Sequence, residues 1–273
     1  MEKIKRNERL TVITKILCSN PNKLFTLSYF CNMLGATKSS LSEDISVLKE
    51  YFEQRKLGKI ETLSGSTGGV RYLPIWDKEY IESYAEELAG VLADSRRALS
   101  GGYIYMADIL SDPERLDKIA QCMAAPYINK DIDYVITIET KGIPIALMCA
   151  RTLGVPLIIA RRENRINEGP QVTINYITDS GRSMATMSLP KRAVAGGKRV
   201  LIVDDFMRAG GSVKGLCDLM KEFNVIVAGI SVFVATKHPE RKLVDKFRSL
   251  LTLYSVDDYQ GIIDIRPSGC AIN

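Results

Sequence analysis

The spacing of apolar positions changes once along the chain, and the change separates two architectures. Leu10, Ile13, Ile16 and Leu17 recur at helical spacing until Ser19-Asn20-Pro21-Asn22 breaks the run. Leu27, Phe30, Cys31 and Leu34 make a second, shorter stripe, with Thr26 placed to cap it. Gly35 supplies a turn, and Thr37 opens a third helix. Its buried edge is Leu41, Ile45, Leu48 and Phe52, while Lys38, Ser39, Ser42 and Ser46 face outward. Two strand-like runs follow, 59–63 and 70–75, joined by a Gly/Ser-rich tip over 64–69. Helix, helix, tight turn, helix and hairpin predict a winged helix-turn-helix over residues 1–75.

Residues 76–99 read as a connecting helix with Ile81, Tyr84, Leu88, Val91 and Leu92 on one stripe. From residue 100 to 273 the pattern becomes strands alternating with helices. Buried strands are expected at 132–138, 156–160, 200–203 and 225–234, with helices over 143–153 and 212–223. This alternation predicts an α/β domain with a mainly parallel sheet. The polar stretch 161–197 interrupts it, and a segment of that length is either a functional lid or an excursion with strands of its own.

Charge sharpens the division. The net charge is +5, yet residues 1–75 carry 12 Lys/Arg against 7 Asp/Glu while the remainder balances at 25 of each. All excess positive charge therefore sits on the helix-turn-helix, which favours double-stranded DNA as partner over a protein–protein role for the same pattern. The third helix would enter the major groove with Lys38, Ser39 and Ser40 near its leading end and Ser42 one turn on. Arg71 would project from the wing, and Lys5 and Arg6 would add phosphate contacts. Serine and lysine serve phosphates and base edges alike, so no base code is legible.

Other chemistry is narrowed by what the chain lacks. The six cysteines are scattered without a CxxC pair and His238 is the only histidine, which argues against a zinc site. No run of about eighteen apolar residues suggests a membrane span. The Met-Glu-Lys-Ile-Lys-Arg start has no secretory h-region, so a cytoplasmic protein is expected.

One segment carries specific chemistry. At 199–212 an apolar strand ends in Asp204 and Asp205, and Phe206-Met207-Arg208-Ala209-Gly210-Gly211 leads to Ser212 at a helix start. Two adjacent carboxylates can accept from the two hydroxyls of a ribose. The glycines let backbone N–H groups approach a phosphate, the helix N-terminus favours an anion, and Ser212 adds a hydroxyl.

This segment resembles the phosphoribosyl-pyrophosphate signature of type I phosphoribosyltransferases. Thr140, Lys141 and Gly142, between a strand and a helix, resemble that family's pyrophosphate loop. Gly102 to Leu110, with Asp112-Pro113, is similar to the hood of adenine-type members, where Tyr103 either stacks on a purine or serves the core. Arg161-Arg162, at a strand end, adds positive charge to the same edge, and 161–197 falls where the family has its flexible loop. One departure stands out: Arg208-Ala209 replaces the Ala-Thr usual in the enzymes, which touches turnover more than binding.

Taken end to end, the chain resembles the bacterial purine operon repressors, on Lys38-Ser-Ser-Leu-Ser-Glu-Asp44, Gly68-Gly69, Gly101-Gly-Tyr103 and Asp204-Asp-Phe-Met207. The resemblance implies a homodimer that binds operator DNA and represses purine synthesis and transport genes. It implies phosphoribosyl pyrophosphate as inducer, with Mg2+, and no transferase activity. An opposing purine nucleotide such as guanosine tetraphosphate would suit the aromatic and cationic groups together. The alternatives are an active purine phosphoribosyltransferase carrying a regulatory DNA-binding domain, and a nucleotide sensor that acts through a protein partner.

Overall fold

A computed structural model describes residues 4–65, 68–74, 77–162, 169–178 and 183–269. The chain divides into two compact units, Met1–Trp76 with Arg151–Gly154, and Asp77–Ala150 with Val155–Asn273.

In the first unit the helices are α1 (Arg6–Ser19), α2 (Leu27–Leu34) and α3 (Lys38–Gln54), followed by strands β1 (Lys59–Leu63) and β2 (Gly69–Leu73). Both expected caps form: the Thr26 hydroxyl accepts from the Tyr29 amide and the Thr37 hydroxyl from the Ser40 amide. Gly35 closes α2 in the left-handed conformation. Ile13, Leu17, Phe30, Leu34, Leu41, Ile45, Leu48 and Phe52 then meet in one core. Each such side chain contributes about 1.5–3 kcal/mol by leaving water. The strands pair antiparallel with Glu61 opposite Arg71. Of the expected wing, Ser66, Thr67 and Ile75 lie outside the described residues.

Asp44 was not anticipated in this core. It is only 1% exposed, and the Nε groups of Arg6 and Arg9 donate to its two oxygens at 3.1 and 2.7 Å. The paired arginines compensate the buried carboxylate and tie the start of α1 to α3.

The second unit begins with α4 (Lys78–Leu92), the two-residue strands β3 (Ala98–Leu99) and β4 (Tyr103–Ile104), and α5 (Pro113–Ala124). Next come β5 (Tyr134–Ile138), α6 (Ile143–Leu153), β6 (Leu157–Ala160), β7 (Gln171–Ile177) and β8 (Met184–Pro190). It ends with β9 (Arg199–Met207), α7 (Gly211–Glu222), β10 (Ile226–Thr236), β11 (Arg248–Asp257) and β12 (Ile262–Pro267). Six strands form one sheet in the order β12-β11-β10-β9-β5-β6. All neighbours run parallel except β11 and β12.

Three expectations need correcting. Residues 76–99 do not form a separate connecting helix. The helix ends at Leu92, clusters with the second unit and packs on β11 and β12, because its stripe of Tyr84, Ala85, Leu88, Ala89 and Leu92 is buried there. The strand at 200–203 runs on to Met207, so both acids lie within it. The sheet also gains β11 and an antiparallel edge, β12, that the pattern did not announce. The stretch 161–197 takes the second of its two readings, since β7 and β8 pair as a separate antiparallel hairpin.

Strand order decides where a ligand would sit. From β5 the chain moves outward to β6, then returns to β9 on the other side of β5. The carboxyl ends of β5 and β9 therefore flank the point where the winding reverses, and the loops leaving them diverge to leave a crevice. Among the described residues no helix is long and apolar enough to cross a membrane.

Candidate functional site

The two loops at that reversal are 139–142, after β5, and 208–210, after β9. Gly210 sits at φ 87°, a conformation favouring glycine, and caps α7 without a side chain. The N-terminal amides of α7 therefore lack a side-chain acceptor from their cap, the arrangement that suits an anion. Gly142 joins the loops: a Cβ there would lie 2.6 Å from Thr137 Oγ1 and 3.0 Å from Asp204 Oδ1. Only glycine fits so close an approach. The peptide Glu139–Thr140 is cis.

Asp204 and Asp205 are both buried at the crevice floor, and the Asp205 amide donates to Asp204 Oδ1 at 3.0 Å. Burial pushes the Asp205 carboxyl above the usual carboxylate range, against the opposing pull of Asp204 hydrogen bonding and the Lys141 charge. A carboxylate that accepts from ribose hydroxyls must be ionised, so ligand binding favours the deprotonated form. Affinity for a ribose-bearing ligand should therefore fall as pH drops through this raised value. Titrations across the acid range on wild type and Asp205→Asn check this. The variant should bind weakly with a flatter pH dependence, whereas identical slopes would place the titration elsewhere, for instance on the ligand's phosphates.

Around these acids lies a cavity of about 560 Å³, lined by Tyr103, Thr140, Lys141, Gly142, Asp204, Asp205, Phe206 and Ser212 of the expected residues. A second, more apolar cavity of about 660 Å³ shares Tyr103, Lys141, Asp205 and Phe206 with it. Leu99, Ile104, Met106, Leu110 and Pro144 wall that second space. At the shared boundary the rings of Tyr103 and Phe206 lie 6.0 Å apart and tilted by 44°. The Arg208 guanidinium stands over Tyr103 at 5.9 Å. Tyr103 is 46% exposed and so does not serve the core. One side is thus suited to phosphates and the other to a flat base, with two acids between them.

Other expected residues have different places. Met207 is 0% exposed and packs into the core beneath the loop, so its side chain is not offered to a ligand. Ala209, Gly210 and Gly211 carry no polar side chain, so they offer only backbone groups. Arg161 Nη1 donates to Glu139 Oε2 at 3.3 Å, and its neighbour Arg162 is the one that lines the cavity. Glu139 also accepts from the Arg162 amide at 2.7 Å, so it holds this cationic edge in place. Glu139, Tyr176, Thr178 and Ser183 line the cavity without having been given a role from sequence. Glu139 directly precedes the 140–142 motif, whereas Tyr176, Thr178 and Ser183 had no local signature.

On the first unit, Lys5, Arg6, Lys38, Ser39 and Ser42 are exposed. Ser40 is partly withdrawn, its hydroxyl 3.0 Å from Thr37 Oγ1. Arg6 remains 54% exposed beyond its bond to Asp44. Arg71 does not project from the wing. Its side chain is 16% exposed, and it donates through Nε to Glu61 at 2.8 Å and through Nη1 to Asn22 at 2.9 Å. The cross-strand register puts Glu61 opposite and claims the charge. The same bond holds the Glu61 carboxyl below its usual range.

Comparison with known proteins agrees with both halves of this geometry. Residues 5–74 match the family described as "Bacterial purine repressor, N-terminal", and residues 107–265 match "Phosphoribosyl transferase domain". The chain is 40% identical over 264 residues to the purine biosynthesis transcriptional repressor PurR of Bacillus subtilis strain 168, covering 97% of this chain and 93% of that protein. It belongs to the PurR family of purine biosynthesis transcriptional regulators.

The PurR family includes regulators of opposite sign. A purine biosynthesis transcriptional activator PurR, from Lactococcus lactis subsp. lactis IL1403, is also 40% identical, over 96% of this chain and 97% of its own. Membership alone therefore does not say whether bound protein lowers or raises transcription. The fold of the second unit also matches adenine phosphoribosyltransferase from Saccharomyces cerevisiae, with a TM-score of 0.53 and 18% identity. That match covers 61% of this chain and 98% of the yeast enzyme, and it speaks for fold alone.

Proposed function

We propose that this PurR-family chain is a repressor of purine synthesis and transport genes, released from operator DNA by phosphoribosyl pyrophosphate. The observation that carries the reading is the pairing of Asp204 and Asp205 with two anion-suited loops at the sheet reversal, in a chain whose other unit is a basic winged helix. Asp204 and Asp205 accept from the ribose hydroxyls. The amides around Gly210, Gly211 and Ser212 take the 5-phosphate, and Thr140, Lys141 and Gly142 take the pyrophosphate. Arg161 and Arg162 add positive charge at the rim. Mg2+ would enter with the ligand: two adjacent carboxylates suit a cation that keeps its waters and shares phosphate oxygens. Among the described residues no group of three or more His, Cys, Asp or Glu could hold a metal by itself.

A purine nucleotide bearing a pyrophosphate, such as guanosine tetraphosphate, fits the same space, with its base against Tyr103 and Phe206 and its phosphates near Arg208 and Lys141. The two ligands must then compete. Operator DNA should tighten the one and weaken the other by matching factors, since coupling of binding free energies is reciprocal. Titrating each with and without operator checks this; simultaneous binding would remove the nucleotide from the site.

On the DNA side we assign phosphate or base contacts to Lys5, Arg6, Lys38, Ser39, Ser40 and Ser42, and leave out Arg71, whose charge is committed to Glu61. A homodimer would present two such faces to a two-fold operator. Lys38→Ala and Arg6→Ala should each flatten the log-affinity against log-salt slope by about 0.9. Arg71→Ala should leave that slope unchanged. Unmoved slopes for Lys38 and Arg6 would relocate the docking face. A genomic footprint away from purine genes would overturn the target assignment.

A further inference from the structure

We infer that Lys242, on the connection between β10 and β11, is a positioning residue for the phosphate loop at 208–212. The inference rests on reading that loop as the 5-phosphate site. The Lys242 ammonium donates to three acceptors: the Arg208 carbonyl at 2.5 Å, the Thr236 carbonyl at 2.7 Å and Thr236 Oγ1 at 3.2 Å. Thr236 Oγ1 in turn donates to the His238 carbonyl at 2.6 Å. The next amide, Leu243 N, donates to the Ala209 carbonyl at 2.9 Å. Two consecutive loop carbonyls are thus taken by two consecutive residues of a distant segment.

Peptide geometry makes this consequential. In a planar trans peptide the C=O and N–H point opposite ways. Fixing the carbonyls of Arg208 and Ala209 toward 242–243 turns the N–H groups of Ala209 and Gly210 away from that brace. Those donors then add to the first amides of α7, and successive N–H groups turned one way form an anion-binding concavity. With Gly210 in the loop, its peptides would otherwise rotate cheaply, and a rotated peptide presents an oxygen where an anion needs a donor. A tetrahedral ammonium matches three acceptors, which glutamine can do only in part and methionine not at all. The brace also places a positive charge behind the loop.

A purely structural tether and a positioning brace differ in which ligand they affect. Ribose 5-phosphate uses the 208–212 loop, whereas inorganic pyrophosphate uses 140–142. Calorimetric titration of the full chain should show Lys242→Met weakening ribose 5-phosphate and phosphoribosyl pyrophosphate about tenfold. Inorganic pyrophosphate should change by less than about twofold, with operator affinity retained. Lys242→Gln, the milder change, should fall between, and it carries the test if thermal melting shows the methionine variant unfolded. Equal loss for ribose 5-phosphate and pyrophosphate, or no loss for either, would overturn the inference while leaving the effector site standing. Wild-type protein that binds neither would remove that site and the inference together.

Discussion

Asp204→Ala and Asp205→Ala are expected to abolish induction by phosphoribosyl pyrophosphate while operator binding stays near wild type. Each carboxylate that accepts from a ribose hydroxyl makes a charge-assisted hydrogen bond worth about 1.5–3 kcal/mol. Losing one therefore costs roughly ten- to a hundredfold in affinity. Neither substitution strands a buried cation, because Lys141 beside them lines an open cavity. For Asp205 the change removes a carboxyl whose charged form burial already opposes. The first unit contains the proposed DNA face and neither acid, so operator affinity without effector should hold. Anisotropy titrations of labelled operator at rising effector concentration check the claim. A variant as sensitive to the inducer as its parent would show that the ligand binds elsewhere.

The second large effect is an absence of turnover. Adenine, guanine, hypoxanthine and xanthine, each offered with phosphoribosyl pyrophosphate and Mg2+, should give no nucleotide at a useful rate. Binding needs only ground-state contacts, whereas transfer needs groups that stabilise charge appearing in the transition state. Where the enzymes of the resembling family carry Ala-Thr, this chain has Arg208-Ala209. A hydroxyl donor is gone from the phosphate loop, and the arginine that replaces its neighbour is exposed and turned to the Tyr103 ring. Pyrophosphate release measured over the four bases checks this. A rate of order one per second, in the lower range of ordinary enzymes, would make the chain an active transferase with a DNA-binding domain.

Much of this organisation was legible because amphipathic spacing is a local property. Leu41, Ile45, Leu48 and Phe52 lie on one side of α3 whatever surrounds them, and Thr26 and Thr37 cap within three residues of their partners. The strand–acid–acid–glycine segment was readable for the same reason, since its chemistry is contiguous. Failures came where a partner was distant. Asp44 on a helix reads as solvated until Arg6 and Arg9, some 35 residues back, reach it. Arg71 reads as a free wing cation until the hairpin register sets Glu61 opposite. Tyr176 and Lys242 meet the site only through the hairpin and a connection that no periodicity announces. Met207 stands inside the quoted motif, yet its side chain is buried in the core beneath the loop, a placement that contiguity with the acids does not reveal.

The most direct test is operator affinity measured against phosphoribosyl pyrophosphate with Mg2+, using the full chain and a fragment from a purine gene control region. The expected result is a progressive loss of DNA binding as the ligand rises. Asp204→Ala should remove that loss, and ribose 5-phosphate with separate pyrophosphate should reproduce it poorly. Operator affinity unchanged up to millimolar ligand, while the same protein still binds its DNA, would contradict the assignment of the second unit as the inducer sensor.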